Sequence, residues 1–267
     1  MSQALRKFER NFGEVSGLLE AYEIVREAQG NNNQRGRVAL GHITKSAVVI
    51  LCSAWQVYIE DIIRESTIFI CQRCSSLSDE RLSHLSVYLN NHLKSAFASN
   101  NAKLSDKAMS LIENDWVKNV KGLVDEELVK FNTPKSPQVE KIFSNIAGVS
   151  KNEFPWIRGN CWDYLSNEGR SNGIFIDDLV SRRGGIAHGD GNIPDVRKHE
   201  IDDYSELTKR QIIAIDNWLY NSINEKYGRR PWKVQTCRFK DRRLEPHNRV
   251  LRSFQTRYND NLRSNVE

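Results

Sequence analysis

Two side chains in the last third of the sequence have the chemistry to work on a phosphate ester. Arg183 and His188 stand five residues apart in Leu179-Val-Ser-Arg-Arg-Gly-Gly-Ile-Ala-His-Gly-Asp190. A guanidinium grips phosphate oxygens with a planar fork, and an imidazole titrates near neutrality, so it can give or take a proton. The same residues also read as a helix stop, because Arg183 and His188 favour the negative end of the helix dipole and Gly189 supplies a left-handed cap. An ideal helix separates positions i and i+5 by about 140°. Arg183 and His188 therefore share a site only if the turn is distorted or if two protomers complete it. Gly184-Gly185 lies between them, a pair that weakens the turn and admits another backbone at close range. Arg182 reads equally as a second phosphate contact or as a surface charge.

The elements that must position these residues follow from hydrophobic periodicity. Residues 3–29 carry Leu5, Phe8, Phe12, Val15, Leu18, Leu19, Tyr22 and Val25 at steps of three and four, the pattern of an amphipathic helix. A longer helix is predicted over 36–74, apolar nearly all round from Ala47 to Ile63, which marks it as the central core helix. Its Glu60-Asp61 pair is costly there unless exposed or matched with a base. Residues 75–133 read as shorter, more polar helical pieces, with starts at Ser78-Asp79-Glu80 and Ser105-Asp106. Thr133-Pro134-Lys135-Ser136-Pro137 breaks the pattern, and a short helix is expected over 138–147. Residues 148–173 are irregular, with Trp156, Trp162 and Tyr164 able to stack on bases or to pack against the core. The Arg183/His188 helix is predicted from Asp178, and a last long helix over 195–227. Strand-period alternation is weak throughout, so the expected fold is all-α: a helical bundle with two long core helices and an insertion at about 75–133.

Composition narrows the function classes. The chain has 267 residues, 39% hydrophobic and 27% charged, with only 15 glycines and 6 prolines, which suits a helical globular protein and excludes collagen or a disulfide mini-protein. The N-terminus lacks a continuous apolar region, and the longest apolar run, Ala47 to Trp55, is far short of the roughly 20 residues a bilayer span needs. A soluble, cytoplasmic protein without a membrane role is the expectation. Five cysteines without a secretion signal read as reduced thiols, and the lone Cys71-Gln-Arg-Cys74 lacks the second pair that a zinc site wants. No phosphate loop, dinucleotide fingerprint, HExxH or GxSxG elbow is present. Pro194-Asp195 and the acidic residues after it do not suit a metal-dependent nuclease core, which needs carboxylates on adjacent strands. No metal or other cofactor is expected.

The net charge of +5 is unevenly placed. Residues 229–267 hold eleven Lys/Arg and four Asp/Glu, a surplus of +7, and leave the preceding 228 residues at −2. A boundary is therefore expected at 228, between a helical domain and a basic C-terminal extension. Arg229, Arg230, Lys233, Arg238, Lys240, Arg242 and Arg243 are interleaved with Trp232 and Phe239, which suits an RNA-gripping arm. A solvated extension with its apolar residues docked on the bundle fits the same pattern.

Arg-x4-His in an Ile-Ala-His-Gly setting, in the penultimate helix of an all-α chain, resembles the signature of the HEPN superfamily (higher eukaryotes and prokaryotes nucleotide-binding). Ser53-Ala-Trp-Gln-Val-Tyr58-Ile-Glu60-Asp61-Ile-Ile is similar to the long second helix of HEPN RNases, where an aromatic position precedes a Glu. The stretch from Asn132-Thr-Pro through Ile142-Phe143 to Gly148 is similar to the linker of the RiboL-PSP-type branch. Together these passages cover about residues 38–225. The resemblance implies a metal-independent endoribonuclease acting as a homodimer with a composite site. Arg183 and His188 would be catalytic, with Arg182, Gly184 and Glu60 in support. Glu60 would orient an arginine of the site, unless it is a solvated helix-face residue. Gly184 departs from the family's usual polar residue after the arginine. The resemblance further implies an RNA substrate, a toxin–antitoxin or anti-phage defence setting and an inhibitory or regulatory protein partner. A non-catalytic HEPN-like scaffold that binds RNA or protein is the alternative.

Overall fold

The computed structural model describes residues 1–29, 34–98, 116–132, 134–148, 154–156, 174–189 and 196–233. These form α1 (Gln3–Gln29), α2 (Gln34–Cys71), a 3-10 turn (Glu80–Leu82), α3 (Ser83–Ala98), α4 (Trp116–Val129), α5 (Ser136–Ala147), α6 (Ile174–His188) and α7 (Lys198–Tyr227). No strand occurs among the described residues, and the fold is all-α. The residues group into two compact units, and α1, α2 and α7 each contribute to both. The first holds Met1–Arg6 and the described parts of Val57–Phe154 and Ile215–Gln235; the second holds the described parts of Lys7–Gln56 and Pro155–Ala214.

In the second unit the core is made by Phe8, Phe12 and Val15 of α1, Val48, Leu51 and Trp55 of α2, and Phe175, Ile176 and Leu179 of α6. Ile201, Leu207 and Ile212 of α7 complete it, and all of these are buried. Phe8 and Phe12 stack one turn apart at 5.6 Å, and the Lys209 ammonium lies 3.9 Å from the Phe12 ring centre, a cation–π contact on the rim.

In the first unit Tyr58, Ile59, Ile62 and Ile63 of α2 are buried with Leu85 and Leu89 of α3, Val120 and Val124 of α4, and Val139 and Ile146 of α5. Helix α3 packs on α5. Phe143, Phe154 and Trp218 form an aromatic trio with ring centres 5.3–6.0 Å apart. Trp156 is also buried, so this loop aromatic packs inward; Trp162 and Tyr164 lie outside the described residues. The first turn of α1 carries no acidic residue of its own. Glu65 of α2 supplies the charge, accepting from the N–H groups of Gln3 and Ala4, while the Ser2 hydroxyl accepts from Leu5 N–H and donates to buried Asp216.

Several boundaries differ from the periodicity. Helix α2 ends at Cys71, and Cys74 lies in the turn that follows, donating to the Cys71 carbonyl at 3.2 Å. Helix α5 begins at Ser136, because Pro137 falls in its first turn, where a missing N–H costs nothing. The side chain of Gln138 reaches back to accept from Lys135 N–H at 2.8 Å. Helix α6 starts at Ile174, a turn earlier than its polar residues imply, since the apolar start is buried. The helix expected from Ser105 is described only from Trp116; its start lies outside the described residues.

Averaged over a wide window, Val38–Cys71 is long and apolar enough to cross a membrane, with a mean hydropathy of 1.5. The short run Ala47–Trp55 underestimates this helix. Its Leu51, Trp55, Ile59 and Ile62 are fully buried within the protein, the pattern of a core helix.

Candidate functional site

Helix α6 changes character along its length. Phe175, Ile176, Leu179 and Val180 are buried, whereas from Ser181 onward no side chain is. Arg183 and Ile186 are half-exposed, and Ala187, His188 and Gly189 are exposed. The helix therefore roots in the second unit by its first two turns and presents its last two to the surface. It stays α-helical through Gly184-Gly185 to His188, and Gly189 closes it with φ +68°, a left-handed conformation that glycine adopts without a Cβ clash. Undistorted, it places Arg183 and His188 about 140° apart around the axis. One chain does not bring both onto a single face by unwinding the turn. Neither side chain has a hydrogen bond or ion pair with another described residue. A Cβ added at Gly184 would meet nothing within 4 Å, so the helix surface is open at that position.

Arg182 is not a surface charge. Its side chain is only 11% exposed, and it bridges Asp178 Oδ2 at 3.0 Å and Glu200 Oε1 at 3.1 Å. The Tyr204 hydroxyl donates to the same Asp178 oxygen, and the guanidinium lies over the Tyr204 ring. This cluster ties α6 to α7 at the residue before Arg183. The two pairs were visible in the sequence as i,i+4 spacings, Asp178/Arg182 on α6 and Glu200/Tyr204 on α7. Their meeting required the packing of two helices that brings together Arg182 and Glu200, 18 residues apart in sequence, which local pattern does not specify. Behind the motif sits Cys52, a buried thiol whose pKa burial pushes up to about 11 although the Arg183 charge pulls it down. Burial likewise pushes Cys71 up to about 12. Neither is an activated nucleophile.

Glu60 belongs to the first unit. It is half-buried and lies 3.5 Å from Arg64, which also reaches Asp61 at 3.3 Å and Asp125 of α4 at 2.6 Å. Arg64 is the base that makes two carboxylates tolerable beside the apolar run. In the extension, Arg229, Arg230 and Lys233 are exposed beside half-buried Trp232. Arg238, Lys240, Arg242 and Arg243 lie outside the described residues. Among the described residues no group of three or more His, Cys, Asp or Glu side chains could hold a metal ion.

A second histidine, His84, stands alone near Cys71 and Cys74 in the sequence, and its structural role comes only from the fold. His84, on α3, donates from Nε2 to the Ile146 carbonyl at 2.9 Å and accepts from the Lys226 ammonium on Nδ1 at 3.2 Å. A carbonyl only accepts and an ammonium only donates, so the neutral Nε2–H tautomer follows. Burial and then the Lys226 charge lower its pKa to about 4. Gly148, at φ +67°, leaves room for this ring: a Cβ there would lie 2.4 Å from His84 Nδ1.

Residues 18–221 of the chain match the protein family described as RiboL-PSP-HEPN. No curated protein and no solved structure matches the chain.

Proposed function

Because the chain belongs to the RiboL-PSP-HEPN family, for which an RNase-like or nucleotide-binding function is the expectation, we propose that it is a metal-independent endoribonuclease acting as a homodimer. The observation that carries this reading is the last two turns of α6. They hold an arginine and a histidine whose side chains have no hydrogen bond or ion pair among the described residues, on a continuous helix with open space beside Gly184. Two such helices, one per protomer, would put an Arg183 and a His188 from different chains on one phosphate.

The chemistry then runs on side chains alone. One imidazole takes the proton of the ribose 2′-hydroxyl, and the 2′-oxygen attacks the adjacent phosphorus. The bond from phosphorus to the 5′-oxygen breaks as a second imidazole protonates the leaving oxygen. Arg183 holds the non-bridging oxygens and stabilises the charge that builds on them. The products are a 2′,3′-cyclic phosphate and a 5′-hydroxyl. DNA, without the 2′-hydroxyl, is not cut. Arg182 keeps Arg183 in place through Asp178 and Glu200, and the basic extension supplies salt-dependent affinity for the RNA backbone. A toxin or anti-phage effector, held in check by a partner protein in the cytoplasm, is the setting that suits such an activity.

Gly184 favours a second reading, a non-catalytic scaffold that binds RNA or protein, because no side chain stands there to bond the phosphate. Incubating the purified protein with RNA in EDTA separates the two. Cleavage that resists EDTA, leaves cyclic phosphate ends and is lost in both His188→Ala and Arg183→Ala establishes the nuclease. Intact RNA with retained binding establishes the scaffold.

A further inference from the structure

The second unit contains an open cavity of about 590 Å³ that the Arg183/His188 chemistry does not use. Its walls come from the end of α1 (Tyr22, Arg26), the start of α2 (Leu40, Thr44) and the start of α7 (Arg197, His199). Pockets that enclose a small ligand occupy roughly 300–1,000 Å³, so it has the size for a nucleotide.

Its charges are arranged unequally. The two carboxylates that line it are already matched: Glu23 pairs with Arg26 at 2.7 Å and with Lys198 at 3.1 Å, and Asp202 pairs with Lys198 at 3.1 Å. Arg197 and His199 are exposed; Arg197 has no side-chain ion pair with a described residue, and His199 lies within electrostatic reach of Asp203 one turn on. The unspent cation in the cavity is thus Arg197, with His199 beside it as a hydrogen-bonding ring. Tyr22, half-exposed on the α1 wall, adds an aromatic face, and Leu40 adds an apolar one. Cation plus aromatic face is the pairing that holds a single-stranded nucleotide, the cation on its phosphate and the ring against its base.

The cavity is also coupled to the motif helix. Glu200, the residue after His199, accepts from Arg197 N–H at 2.9 Å and binds Arg182 at 3.1 Å. The entry to α7 therefore carries Arg197 and His199 and anchors the residue before Arg183.

We propose that this cavity is a nucleotide subsite, with Arg197 and His199 on a phosphate and Tyr22 against the base, which seats a nucleotide of the RNA flanking the one held at Arg183 and His188. It rests on the ribonuclease reading for its substrate, though its residues lie outside the catalytic pair. Phosphate ester and base are the shared chemistry of a strand and of a free nucleotide.

The test measures binding of a fluorescein-labelled 2′-O-methyl RNA ten nucleotides long, which cannot be cut for lack of the attacking hydroxyl, and of uridine 5′-monophosphate. The proteins are the full-length wild type, the surface double variant Arg197→Ala/His199→Ala, and Tyr22→Leu. The double variant should bind the oligonucleotide about tenfold more weakly and with a salt slope shallower by about one. Tyr22→Leu should lose about fivefold or more with its salt slope unchanged, the mark of lost stacking. Uridine monophosphate binding that the double variant loses shows a site filled by free nucleotides too; binding of the oligonucleotide alone shows one filled by strands. Equal affinity and slope in wild type and double variant, or no binding by wild type, overturns the subsite. Cleavage of unmodified RNA is scored separately with His188→Ala. A wild type that cuts while the double variant binds normally keeps the nuclease and loses the subsite. A wild type that does not cut, but whose binding depends on Arg197, loses the nuclease and keeps the subsite.

Discussion

Two histidines, one in each compact unit, have opposite surroundings. In the first unit His84 has both ring nitrogens engaged, a carbonyl on one and an ammonium on the other, and a glycine pressed against its ring. In the second unit His188 stands exposed at the end of α6 with no described partner. The first is a joint between α3, α5 and α7, while the second is a free imidazole on a helix end. Residue type alone does not tell a structural histidine from an available one. What tells them apart is whether each ring nitrogen has a partner.

The sharpest way to break this contrast is to remove the free imidazole. His188→Ala should lower RNA cleavage by about a thousandfold, within the range for a lost acid–base group, while the thermal midpoint stays where it was. A large fall in stability instead would mean that His188 is a joint too. Next comes Arg182→Ala, which leaves Asp178 and Glu200 facing each other without their cation; a loss of about 3 kcal/mol is expected in urea unfolding. Arg182→Lys should recover only part of it, because an ammonium lacks the fork that spans both carboxylates. An unaffected urea midpoint in Arg182→Ala would remove its positioning role.

In the first unit, Gly148→Ala should cost about 2 kcal/mol, since the residue must hold φ +67° and its new methyl would overlap the His84 ring. The pH dependence follows from the same ring. Its folded pKa, about 4, lies below the ordinary value near 6.5, so the unfolded chain takes up the proton first. The contribution of neutral His84 is complete above about pH 6.5 and fades as pH falls towards 4, by about 2 kcal/mol. Asp203 and Asp216, which burial pushes up to about 6, act in the opposite sense. The measurement is therefore the stability difference between wild type and His84→Gln, which should shrink over that window and would stay flat if His84 were already solvated. The smallest effect is Gly184→Ala, in open space within a continuous helix. It should stabilise an isolated chain by about 0.5–1 kcal/mol; if a second protomer packs on this strip, the added methyl should also weaken self-association in sedimentation.

Much of the fold was legible from apolar spacing. Helix α1 has the bounds that its threes and fours imply, and α2 is the core helix that its all-round apolarity requires. The misjudged ends share a cause: Pro137 and Ile174 belong to helices whose first turns are decided by burial and by backbone groups that need no partner. The motif helix could be read directly, including its left-handed stop at Gly189. Arg182 could not, because its exposure depends on Glu200 and Tyr204 from another helix. Glu60 could be read as needing a base, but not that the base is Arg64, one turn on, which it shares with Asp61 and with Asp125 from another helix.

The sequence by itself determined the helical class, the order of the helices, the family and the basic surplus after residue 228. Each of these depends on residues near one another in the chain, where periodicity, caps and charge density act. Tertiary structure alone decided which charged groups are spent and which are free. Arg182 is held between two carboxylates, His84 is locked neutral and Arg197 of the cavity has no ion pair among the described residues, because burial and ion pairing depend on side chains brought together from distant helices.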